Sequence, residues 1–112
     1  MFSLIYYIPP DDHDRVKQAL FDCGAGKVGK YSECCWEVLG NGQFRAQNGS
    51  NPSIGKVGQL EKIEEFKVEM VCEESVIQKV LMTLLKEHPY EQPAYFVSEM
   101  MTSEQFKQRK PG

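Results

Sequence analysis

The sequence predicts an α+β domain in which two βαβ units share one antiparallel sheet, with two helices on one face and an extra β-hairpin. Three observations lead there. Strand-like runs at 2–8 and 63–72 each feed an amphipathic helix that starts beside acidic residues and ends at a Gly or Pro turn, so the chain reads as two similar halves. Each helix carries one apolar stripe and so has one face to bury. Residues 63–72 alternate, which keeps Glu65, Lys67 and Glu69 on a face that the helices leave open.

Residues 2–8 form a nearly unbroken apolar and aromatic run with Phe2, Leu4, Tyr6 and Ile8 on one face, as expected of a central strand covered on both sides. Pro9 and Pro10 stop it. Asp11 and Asp12 offer an N-cap and favourable charge for a helix whose apolar positions are Val16, Ala19, Leu20 and Cys23. Gly24 and Gly26 lie where a left-handed C-cap is expected. A second apolar stretch, Cys34 to Leu39, meets the turn signal Gly40-Asn41-Gly42 and then Gln43, Phe44, Arg45 and Ala46 in alternation, which reads as a hairpin over 34–46. The turn formers of 47–60 predict a long surface loop.

In the second half, Phe66, Val68, Met70 and Cys72 share the inner face of the alternating strand. Glu73 and Glu74 then precede the stripe Val76, Ile77, Val80, Leu81, Leu84 and Leu85, a helix ended by Pro89. Residues 93–100 have the aromatic and β-branched character of a final strand. The domain is expected to span residues 1–100, with 101–112 a polar, frayed tail. These elements follow the ferredoxin-like plan.

Composition narrows the function classes. Hydrophobic residues at 41% and charged residues at 26% give a globular balance rather than wholesale disorder. The formal charge of -3 supplies no basic stripe for a phosphate backbone, so nucleic acid is not an expected partner. No apolar run approaches the roughly 20 residues that span a bilayer, and the first residues lack the features of a signal peptide. No membrane association and a cytoplasmic location are therefore expected, with Cys23, Cys34, Cys35 and Cys72 reduced.

Two segments carry a family resemblance. The first is Gly24-Ala25-Gly26-Lys27-Val28-Gly29-Lys30-Tyr31-Ser32, followed by Gly40 to Phe44, Asn51-Pro52-Ser53-Ile54-Gly55 and Gly58-Gln59-Leu60-Glu61-Lys62. In that order it resembles the YqfO-like insertion domain of the Nif-three family. The second, His88-Pro89-Tyr90-Glu91-Gln92-Pro93-Ala94-Tyr95, is similar to that domain and to the His-Pro-Tyr-Glu-x-Pro signature of CutA proteins. The resemblance implies a CutA-like, ferredoxin-related fold, a tendency to self-associate, and occurrence either inserted in a larger metal-dependent protein or standing alone. It implies no activity for this segment, because the family's dinuclear metal site belongs to another domain and only His13 and His88 are present here.

Each candidate site has a bland reading beside it. Gly24 to Gly29 follows a helix, whereas a phosphate-cradling loop follows a strand and opens one, so it reads as a C-cap. Cys34, Cys35 and His88 are the metal-ligand candidates, for copper or zinc, but adjacent cysteines on a strand point to opposite faces, and the reading expects no cofactor. The sharpest candidate is the turn after the second helix, where His88, Tyr90, Glu91 and Tyr95 place an imidazole, a carboxylate and two phenols within eight residues pinned by Pro89 and Pro93. It serves equally as a rigid packed turn. Trp36, Phe44 and Tyr95 are interface candidates for a homo-oligomer, a dimer or trimer. The expected function is a non-catalytic, self-associating binding or regulatory module with a small-molecule ligand. The alternatives are a transition-metal tolerance protein of CutA type and a small enzyme with an inter-subunit site around His88 and Glu91.

Overall fold

A computed structural model describes residues 1–109. Four strands and three helices follow one another as β1 (Phe2–Ile8), α1 (Pro10–Asp22), β2 (Trp36–Arg45), β3 (Leu60–Cys72), α2 (Glu74–Glu87), β4 (Tyr95–Glu99) and α3 (Ser103–Lys107). The sheet order is β2-β3-β1-β4, and every neighbouring pair is antiparallel.

Both long helices pack on one sheet face, as their single stripes require. Leu4, Tyr6 and Ile8 of β1 and Val68, Met70 and Cys72 of β3 meet Val16 and Leu20 of α1 and Ile77, Val80 and Leu84 of α2 in one buried core. The register sets Tyr6 opposite Val68 and Leu4 opposite Met70, so the inner side chains share a face. Among the described residues no helix packs on the other face, where Trp36 and Phe96 are exposed. β1 is central but covered on one side only, with Ser3, Ile5 and Tyr7 half-buried, which corrects the expectation of cover on both sides.

The chain enters α1 through Pro9 as N-cap and Pro10 in the first turn, with no side-chain cap, so Asp11 and Asp12 contribute charge at the helix start rather than capping. At the exit, Gly26 is held at φ 78°. Its N–H donates to the Val71 carbonyl (2.8 Å) and its carbonyl accepts from Cys34 (2.8 Å). A Cβ there would lie 2.7 Å from the Cys34 carbonyl oxygen and 2.8 Å from the Phe21 ring. Glycine is needed for both reasons.

The hairpin differs from the expected one. Gly40-Asn41-Gly42 is not a turn: β2 runs through it without a break and pairs with β3 at ten positions, from Trp36 opposite Glu69 to Arg45 opposite Leu60. The reversal occurs instead in the loop 46–59. Ten ladder pairs outweigh a local turn preference, and both glycines face the uncovered side, where they leave space. At roughly 3.3 Å per residue the thirteen residues of β3 reach about 43 Å, making an arm that gives the molecule a longest dimension of 53 Å.

Beyond β4, the expected polar tail contains α3. A reciprocal capping box explains it: Thr102 accepts from the Gln105 backbone (3.2 Å), and the Gln105 side chain accepts from the Thr102 backbone (2.9 Å). No α3 residue is buried, so the cap and not packing defines this turn. The last part of the tail, 110–112, lies outside the described residues.

Candidate functional site

The turn after α2 is built on a buried histidine. His88 closes the helix with its backbone N–H on the Leu84 carbonyl (2.9 Å) and then turns extended, ψ 136°, as a residue before proline must. Its ring, 5% exposed, bridges two segments. Nδ1 accepts the Tyr90 backbone N–H (3.1 Å), so the proton resides on Nε2, which donates to the Tyr7 carbonyl (2.7 Å). Burial holds the imidazole below its ordinary pKa, partly opposed by the bond to Tyr7. His88 is therefore neutral and fully engaged.

In front of this turn, on the uncovered sheet face, lies a cleft of about 260 Å³. Its walls come from three places. β1 supplies Tyr7, the β2–β3 arm supplies Phe44, Ile63 and Glu65, and the turn supplies Tyr90, with the loop 46–59 closing the far side. Glu91 fastens that loop to the turn by accepting the Asn51 backbone N–H (3.0 Å). The Phe44 and Tyr90 rings stand 6.5 Å apart at 55°, and Tyr90 leans on the His88 ring at 4.9 Å.

Two groups in the cleft titrate away from their ordinary values. The Tyr90 hydroxyl is buried with no hydrogen-bond partner among the described residues. Burial first, then the nearby charges of Glu65 and Asp12, push it up to about 12. Burial also raises the Glu65 carboxyl. Glu65 lies across Gly42, where an added Cβ would overlap its carboxylate. The missing side chain at Gly42 is what gives that carboxylate its bed.

The candidates from the sequence thus divide. Tyr90, Glu91 and Phe44 line the cleft, and His88 stands behind it as a support. Tyr95 lies opposite Tyr6 on the helix-covered face and packs on the core. Trp36 is 57% exposed on the uncovered face, opposite Glu69. Cys34 and Cys35 do not join His88: no group of three or more His, Cys, Asp or Glu placed to hold a metal occurs among the described residues. Sequence reasoning missed Tyr7 and Glu65. The signal for Glu65 was Gly40-x-Gly42, a strand face emptied of side chains.

A second polar cluster lies under α1. Glu37 accepts from Lys17 (2.7 Å) and bonds the buried His13 ring (2.7 Å), which stacks on Phe66 at 4.2 Å. The Lys17 bond, and less strongly the His13 bond, hold the Glu37 carboxyl below the carboxylate range despite partial burial. Cys35 reaches the same carboxylate at 3.7 Å, and burial pushes its thiol up, the opposite of an activated nucleophile. These contacts fasten the start of β2 to α1.

No protein-family model matches the chain. It is 42% identical over 95 residues to a "GTP cyclohydrolase 1 type 2 homolog" of Halalkalibacterium halodurans, a match covering 85% of this chain and 26% of the relative. The crystal structure of a Bacillus cereus protein related to NIF3 matches with a TM-score of 0.74 at 35% identity, over 86% of this chain and 24% of that one. CutA1 from Pyrococcus horikoshii matches with a TM-score of 0.67 at 13% identity, over 96% of this chain and 92% of that one, a likeness of fold. The chain thus spans about a quarter of the length of the curated relatives it matches. It is a NIF3/YqfO-like domain with a CutA-like, ferredoxin-like fold.

Proposed function

We propose that this NIF3/YqfO-like domain is a non-catalytic binding module that self-associates as a dimer or trimer and takes a small ligand in the cleft beside Tyr90. The observation that carries the reading is the uncovered sheet face. Trp36, Val38 and Phe96 stand on it 57%, 43% and 61% exposed, in line through Lys67, Glu69 and Ile5, and it continues into the cleft at Phe44. Large apolar side chains left exposed together on one sheet face, here beside Lys67 and Glu69, fit an interaction site. β2 and β4 also present unpaired outer edges, with Trp36 and Phe44 on one and Tyr95 on the other.

Chemistry supports the non-catalytic part. To act as a general base His88 would need a free ring nitrogen, and both of its nitrogens are occupied. The cyclohydrolase in the relatives' names describes proteins about four times as long as the shared segment. No helix is long and apolar enough to cross a membrane among the described residues, and four free cysteines suit the reducing cytoplasm we assign to it. Size exclusion with light scattering tests the association: a dimer or trimer at micromolar concentration is expected, and a monomer removes the proposal.

A further inference from the structure

We infer that the cleft receives a small organic cation, an ammonium group on a compact apolar body. This rests on the cleft being the ligand site and names the chemistry it selects. Three features point the same way. Tyr7, Phe44 and Tyr90 supply aromatic walls, and an ammonium seated in the cleft against the face of one of these rings comes within the roughly 6 Å at which a ring quadrupole attracts it. Glu65 supplies a carboxylate that makes no hydrogen bond or ion pair among the described residues, although burial already raises its pKa. The next cation along that face, Lys67, is paired with Glu69 at 3.4 Å and leaves Glu65 unneutralised.

The same lining disfavours other ligands. Glu65 and Glu91 are its charged residues, and none of the described lining residues is basic, so a carboxylate or phosphate would meet uncompensated negative charge. At about 260 Å³ the cleft falls below the roughly 300–1,000 Å³ of drug-sized sites, which limits the ligand to a few heavy atoms around one ring. Gly42 belongs to the device, since any side chain there displaces the carboxylate.

Amide-resolved NMR titration of the full chain with phenethylammonium, 2-phenylethanol and phenylacetate tests the inference, because the three probes share a ring and differ in charge. Phenethylammonium should shift the amides of Phe44, Glu65 and Tyr90 with a Kd roughly ten-fold or more below the other two, the worth of one charge-assisted contact. Glu65→Gln should abolish the preference while 2-phenylethanol binds as before. Phe44→Leu should weaken the cation more than the alcohol, an independent check should Glu65→Gln disturb the fold. Equal or tighter binding of the alcohol or acid at these amides overturns the cation and keeps the site. Absence of shifts with all three overturns the cleft as a ligand site.

Discussion

Replacing His88 by alanine separates a structural imidazole from a catalytic one. The ring is 5% exposed and satisfies two backbone groups, the Tyr7 carbonyl at 2.7 Å and the Tyr90 N–H at 3.1 Å. Truncation orphans both, each at about 1–3 kcal/mol, and leaves a cavity behind Tyr90, so the loss should reach about 3–4 kcal/mol. For a domain of this size that lowers Tm by roughly 10–20 °C. Urea unfolding followed by circular dichroism measures it. The depressed pKa adds a pH signature. The folded state binds fewer protons than the unfolded chain, so the stability from neutral His88 is complete above the unfolded value near 6.5 and declines as pH falls towards the folded one. Asp12 and Arg15, which face the ring from α1, act on it in opposite directions. The wild type should thus lose stability from pH 7 to 5.5 more steeply than His88→Ala. A variant that melts within 2 °C of the wild type with the same pH slope would refute the structural role.

Other outcomes follow from the same geometry. Gly26→Ala should cost about 3 kcal/mol or more in urea unfolding, because a left-handed φ and an overlap with the Cys34 carbonyl act together. Trp36→Lys should shift the light-scattering mass towards the monomer while changing monomer stability by only about 0.5 kcal/mol, since the side chain is mostly exposed within one chain. Protein purified without an affinity tag should take up no stoichiometric copper or zinc by elemental analysis.

The parts legible in the sequence are those where one-sided burial imposes a period. α1, β3 and α2 each bury one stripe or one alternating face, and their apolar spacing records it, whereas the near-continuous apolar run of β1 hides its one-sided burial. The turn from His88 was legible because proline fixes the residue before it. Gly40-Asn41-Gly42 misled because turn chemistry is local, whereas the ladder that keeps β2 straight pairs residues from Arg45 with Leu60 to Trp36 with Glu69, far apart along the chain. α3 was missed because a five-residue helix with no buried face leaves no periodic trace, although Thr102 and Gln105 carried its capping signal. Glu65 looked like any solvated charge on an alternating strand. Its role depends on Gly42 across the sheet and a loop beyond it, relations that spacing along the chain does not express.

Trp36 is the single tryptophan and stands on the face held to bind another copy, so its fluorescence reports on that face directly. At micromolar concentration its emission should be blue-shifted and shielded from acrylamide, and both effects should fade on dilution. Quenching as ready as that of free indole, at every concentration, would contradict the account.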